Sequence, residues 1–246
     1  MIKIIFFGNG PLADITKQLL EKSQNCQIIF HAKRKEDLDI VKHLKITNPD
    51  TFGILASFGT LIKSDLLKLF EPTGILNLHP SLLPKYRGAS PIETAILNGD
   101  RDFSISIMKL VKAMDAGPIY YQTTIKSHDF SSPFPDKSEI YNKLSTRATE
   151  WLIKHFDNLP KTTIQDESKA TYTYKFNTSM SQLDLSKTAM DLLNQIRAFQ
   201  NFPKSKLKIN GHECIILKAH LNTNSSIDNR AKIKIPCGDN QLIIID

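Results

Sequence analysis

A chain of 246 residues, 41% hydrophobic and 23% charged, has the length of one or two globular domains and an ordinary folded composition, which excludes wholesale disorder and argues against a large repeat array. Its 32 Lys and Arg against 25 Asp and Glu leave a formal charge of +7, with a pI near 9.2. The excess is uneven: residues 1–158 hold 20 basic and 17 acidic side chains, whereas Arg197 to Lys234 alone holds eight basic and two acidic, so a polyanionic partner is expected to meet the C-terminal end.

In chain order, Ile2 to Phe7 predicts a strand, Gly8-Asn9-Gly10 a tight turn, and the spacing of Leu12, Ile15, Leu19 and Leu20 a helix. A second strand is expected at Cys26 to Phe30, a polar helical stretch at Lys35 to Leu44, a third strand at Thr51 to Ala56, a helix at Leu61 to Phe70 and a fourth strand at Gly74 to Leu78. Ser90-Pro91-Ile92-Glu93 reads as a helix start, since Ser caps, Pro presets the first-turn φ and Glu can return a bond to the cap. Strands at Phe103 to Leu110 and Ile119 to Ile125 and a long helix from Lys137 to Phe156 complete an alternating α/β pattern, which implies a doubly wound, mainly parallel sheet. The polar, Thr-rich stretch Pro160 to Lys175 has no periodicity and reads as a linker. Beyond it, Ala189, Leu192, Leu193, Ile196 and Phe199 share a helical face, followed by short β-rich pieces at Lys206 to Ile209, Cys214 to Leu217, Lys232 to Ile235 and Leu242 to Ile245.

The apolar runs Ile4 to Phe7 and Leu242 to Ile245 are only four residues long, against the roughly 20 of a spanning helix. The first run stops at Gly8, too early for a secretory signal of about 7 to 15 apolar residues. The expectation is a soluble, cytoplasmic protein with no membrane partner. Cys26, Cys214 and Cys237 are far apart without a C-x-x-C pair, so they read as reduced thiols and no metal is expected.

Gly8-x-Gly10-x-x-Ala13 matches the loose dinucleotide fingerprint, yet the place of the ribose-binding acid holds His31-Ala32 with Lys33-Arg34-Lys35 behind them. A tight βα turn explains these glycines as well as a nucleotide does. Asn77 and His79 are two apart on a strand, so their side chains share a face at the carboxyl edge where open α/β sheets bind ligands. An amide donor beside an imidazole suits an oxygen that becomes negative during acyl transfer, although a strand-end cap would use the same residues. Asp115, in Met114-Asp115-Ala116-Gly117-Pro118, could orient His79 from a turn between two strands. Ser81 lacks a nucleophile elbow, and His43, His128, His155, His212 and His220 are isolated without metal-ligand spacing.

At Asn77-x-His79, Ser81-Leu82-Leu83-Pro84 and Asp115-x-Gly117 the sequence resembles the formyltransferases that use 10-formyltetrahydrofolate. Arg87-Gly88-Ala89-Ser90-Pro91-Ile92 is similar to the methionyl-tRNA formyltransferase branch more than to the glycinamide ribonucleotide one. Asp166-Glu167 with Ala170-Thr171-Tyr172, a strand at Leu183-Asp184-Leu185, Ile196-Arg197-Ala198-Phe199 through Pro203, and Ile209-Asn210-Gly211 resemble that branch's linker and tRNA-contacting domain. The resemblance implies a Rossmann-like catalytic domain at 1–158, a linker at 159–176 and a shortened β-rich, OB-like domain at 177–246. It implies transfer of the formyl group of 10-formyltetrahydrofolate, without a metal, to methionyl initiator tRNA by a monomeric enzyme, with N-formylation of a nucleotide-linked amino sugar as the alternative. Asn77, His79 and Asp115 would be catalytic; Ser81, Leu82, Leu83 and Pro84 would bind the folate; Lys33, Arg34, Lys35, Arg87, Arg197, Lys204, Lys206 and Lys208 would meet tRNA. Two departures stand out: Phe30 to Asp50 lacks the family's long basic insertion after the second strand, and the C-terminal domain is short.

Overall fold

The computed structural model describes residues 1–221, 233–239 and 241–245. Lys232, expected to open a strand, lies outside the described residues. The chain forms two compact units, Met1–Pro91 with Asp102–Thr173, and Ile92–Arg101 with Tyr174–Asp246.

The first unit is built on a six-stranded sheet in the order β2-β1-β3-β4-β5-β6. Strands β1 (Ile2–Phe7), β2 (Cys26–Ala32), β3 (Phe52–Ala56) and β4 (Ile75–His79) run parallel, while β5 (Phe103–Lys109) and β6 (Ile119–Ile125) are antiparallel to their neighbours. Alternation along β1 serves both faces. Ile5 and Phe7 join a core with Val41, Leu66, Phe70 and Ile75, drawing on α2 (Leu38–Thr47) and α3 (Ser64–Leu69). Ile4 and Phe6, fully buried, point to the opposite face. There α1 (Pro11–Lys22), which buries Leu12, Thr16 and Leu20 one turn apart, packs against α5 (Lys137–His155). The helix expected from Leu61 starts only at Ser64, because Ile62 is drawn into the core ahead of it and Leu61 is left exposed.

At the β1–α1 turn, a Cβ on Gly8 would fall 1.8 Å from the Ala56 carbonyl oxygen. Close backbone packing thus accounts for that glycine. His31 Nε2 lies 2.8 Å from the Gly8 carbonyl and its ring packs edge-on to Phe6, so the slot of the nucleotide-binding acid holds a tied histidine.

Residues 159–173 run along the first unit rather than free of it. Thr163 bridges Ile119 in antiparallel fashion and Tyr172 bridges Arg87 in parallel. Between them, Asp166 Oδ1 accepts the Ser168 amide at 3.1 Å and its hydroxyl at 2.6 Å, capping a single 3-10 turn at Glu167–Lys169.

In the second unit, α4 (Pro91–Leu97) precedes in sequence, and α6 (Ala189–Ala198) is the helix read from its apolar face. Thr188 caps it, accepting the Asp191 amide at 3.1 Å. The hairpin β7 (Ser205–Ile209) and β8 (His212–Ile216) turns at Asn210-Gly211, and β9 (Ala219–Leu221), β10 (Ile233–Pro236) and β11 (Leu242–Ile245) form a sheet in the order β10-β11-β9. Leu183, Leu192, Ile196, Leu207, Ile216, Ile235 and Ile243 share its core. The strand expected at Leu183-Asp184-Leu185 is not formed. Gln182 alone bridges Lys206, and Asp184 then bonds the Ser186 amide and hydroxyl at 3.1 and 2.7 Å, turning the chain. Cys26 and Cys237 are buried, Cys214 is half-buried, and all three are free thiols; burial pushes the Cys26 and Cys237 thiols up. No helix among the described residues is long and apolar enough to cross a membrane.

Candidate active site

β4 is buried along its whole length, flanked in register by Leu55 of β3 and by Met108 and Ser106 of β5. Its alternation carries Asn77 and His79 on one face at the carboxyl edge of the parallel strands. Asn77 is only 6% exposed, yet no hydrogen bond to its side chain comes from the described residues. Its amide atoms keep some contact with solvent, so they are available to water or a ligand.

His79 is 5% exposed. Its Nε2 sits 2.9 Å from the Tyr86 carbonyl oxygen, which can only accept, so this nitrogen carries the hydrogen. Nδ1 faces Asp115 Oδ2 at 3.6 Å, within ion-pair reach. The same carboxylate oxygen accepts the Gly88 amide at 2.7 Å. Asp115 holds a left-handed backbone, φ 49, in a turn where a Cβ on Gly117 would fall 1.7 Å from the Lys109 carbonyl oxygen. Asp115 is thus brought against His79, which shares a strand face with Asn77.

The loop after β4 is fixed from both sides. Ser81 donates from its amide to the His79 carbonyl at 2.8 Å and from Oγ to the Lys85 carbonyl at 2.7 Å. Ser106 Oγ donates to the Ser81 carbonyl at 2.6 Å and accepts the Leu83 amide at 3.2 Å. Gln122 Nε2 reaches the Leu83 carbonyl at 2.9 Å and Ser106 Oγ at 2.8 Å. Leu83 is buried with Met108 and Ile119, whereas Leu82 stays exposed. Ser106 and Gln122 escaped the sequence reading; their signal was polar residues inside otherwise apolar strands.

Two of the basic residues expected to meet tRNA are corrected. Arg87 is 1% exposed and spends every N–H inside the unit: Nη1 and Nη2 donate to Glu167 at 2.8 and 2.7 Å, Nε and Nη2 to Gln165 Oε1 at 3.1 and 2.8 Å, and Nη1 to the Tyr172 hydroxyl at 3.4 Å. No donor remains for a phosphate. The guanidinium in turn holds the Glu167 carboxyl below its usual range, and the carboxylate raises Arg87 further. Arg197 is likewise buried on α6, with Nη1 donating to Asn194 Oδ1 at 3.0 Å. Lys204 and Lys208 are exposed, and Lys206 pairs with Glu213 at 2.6 Å. Lys33, Arg34 and Lys35 are exposed too, beside Asp37, which accepts the Lys33 and Arg34 amides at 2.7 and 3.1 Å and stays ionised below the usual range.

An amide and an imidazole on one strand face of the doubly wound sheet, a carboxylate behind the imidazole and a braced proline loop are groups that acyl chemistry can use. This chain belongs to the formyl transferase family: residues 8–155 match the formyl transferase domain and residues 175–246 the formyl transferase C-terminal domain. Its relatives include curated methionyl-tRNA formyltransferases. That of Borrelia hermsii (strain HS1 / DAH) is 34% identical over 200 residues, covering 80% of this chain and 63% of that protein. That of Sulfurihydrogenibium sp. (strain YO3AOP1) is 30% identical over 233 residues, covering 89% of this chain and 73% of that protein. The solved methionyl-tRNA formyltransferase from Clostridium thermocellum shares the fold, with a TM-score of 0.67 over 100% of this chain and 97% of that one at 15% identity. The chain spans less than two thirds of the length of its Borrelia relatives.

Proposed function

We propose that this protein transfers the formyl group of 10-formyltetrahydrofolate to the α-amino group of methionine on initiator tRNA, the step that prepares it for translation initiation. The observation that carries this reading is the Asn77–His79–Asp115 edge, with His79 Nδ1 facing the Asp115 carboxylate at 3.6 Å. The neutral amine attacks the formyl carbon and gives a tetrahedral oxyanion. The Asn77 amide, free of protein partners, donates to that oxygen. Because Nε2 already carries a hydrogen to the Tyr86 carbonyl, His79 acts through Nδ1, which takes up the proton that the amine loses, and the imidazolium so formed donates to the oxyanion while Asp115 steadies its charge. The attacking amine loses a proton, N10 of the folate gains one as it leaves, and the His79–Asp115 pair relays it. Ser81, Leu82, Leu83 and Pro84 supply the braced loop for the folate. The exposed Lys204 and Lys208, with the half-buried Lys206 between them in sequence, supply a face for tRNA phosphates, with Lys33, Arg34 and Lys35 as a second basic patch.

The test is an assay of purified protein with 10-formyltetrahydrofolate and either methionyl initiator tRNA or a nucleotide-linked amino sugar. Formylmethionyl-tRNA is the expected product. Formylation of the sugar alone would overturn the acceptor assignment, and no turnover of either would remove the activity.

A further inference from the structure

Asp115 must present its carboxylate to His79 from a turn whose left-handed backbone, φ 49, is adopted by a residue with a side chain only when its surroundings hold it. What holds it comes from far along the chain. Gln165 Nε2 donates to the Asp115 carbonyl at 2.8 Å and to the Gly117 carbonyl at 2.7 Å, spanning the turn. Gln165 Oε1 accepts two N–H groups of Arg87, at 2.8 and 3.1 Å. Both donors and both acceptor positions of this amide are therefore in use, and a flipped amide would set its NH2 against the guanidinium. Arg87 is locked in turn by its two bonds to Glu167. The residue after Arg87, Gly88, donates its amide to Asp115 Oδ2. One buried anchor thus holds the turn by its carbonyls through Gln165 and by its carboxylate through Gly88.

We propose that Gln165, backed by Arg87, is a positioning residue that sets the Asp115 carboxylate opposite His79. The proposal rests on the formyl-transfer reading of that site. Gln165→Glu keeps the size and the acceptor for Arg87 but turns an oxygen with no proton toward two carbonyls. Gln165→Met adds no charge but removes both the donor and the acceptor for Arg87, and serves as the second variant if the Glu variant fails to fold. With an unchanged melting temperature, kcat is expected to fall about 10- to 100-fold, the scale of a small misplacement of a catalytic group. KM for 10-formyltetrahydrofolate should stay within about twofold, and in an Asp115→Asn background the same change should cost almost nothing more, because residues acting in series are non-additive.

Equal losses in kcat and affinity, or a full additional loss in the Asp115→Asn background, would make Gln165 a purely structural residue and overturn the proposal. A parent enzyme inert toward every acceptor would instead defeat the formyl-transfer reading. The positioning claim is then read from the His79 ring resonances by NMR, which should move in Gln165→Met and whose coincidence with the parent's would refute it.

Discussion

Asn77 and His79 on β4, and Lys206 and Lys208 on β7, have the same spacing in sequence and opposite surroundings in the fold. β4 is buried throughout, so its pair meets only other chemistry: a carbonyl, a carboxylate and a braced loop. On β7, Ser205 and Leu207 are buried while Lys206 and Lys208 take the solvent side. A spacing of two establishes a shared face; burial of the strand decides whether that face meets protein groups or solvent.

The largest effect expected on the buried side is Asp115→Asn. An amide can keep the bond from the Gly88 amide but cannot supply the charge that His79 Nδ1 faces, and losing a histidine-orienting carboxylate costs about 10⁴-fold where the roles are comparable. Turnover and its pH profile measure this; profiles that overlay the parent's would reduce Asp115 to a turn residue. Asn77→Ala should lower turnover by roughly 10² to 10³, the loss for one oxyanion donor, with a smaller effect on folate binding. Near-parental turnover would take Asn77 out of the mechanism and leave β4 no different in kind from β7.

The smallest effect belongs to the solvent side. Neutralising Lys204, Lys206 and Lys208 together should weaken tRNA binding and lower its log-log salt slope by about 2 to 3 units, since each phosphate contact carries about one. The lower figure applies if the Lys206–Glu213 pair already occupies one ammonium. Folate affinity should not change. An unaltered slope would make this face merely solvated and shift the search to Lys33, Arg34 and Lys35.

Much of the first unit was legible because its signals are local. The apolar run into Gly8, the i,i+4 spacing of α1 and the alternation of β4 each lie within a dozen residues and specify strand, turn, helix and site face. Arg87 was not legible, since a basic residue after a loop looks the same whether it meets phosphate or a partner 78 to 80 positions away. Gln165 hid in a polar stretch whose bonds are turns and isolated bridges, which leave no period. Arg197 was not legible either, because α6 buries Asn194, Gln195 and Arg197 along with its apolar face, so burial there does not follow the hydrophobic period. The strand expected at Leu183–Leu185 failed because Asp184 and Ser186 satisfy each other locally, which competes with ladder pairing.

The anchoring of the Asp115 turn by Gln165 also bears on how such a gene can be reshuffled. A crossover falling anywhere between residues 118 and 163 would keep Asn77, His79 and Asp115 together while joining them to a foreign residue at 165. If that newcomer cannot give two protons and take two, the recombinant inherits all three side chains without the bonds that hold the Asp115 turn. Positions 87, 115 and 165 are in this sense one hereditary unit, although 78 residues separate its ends.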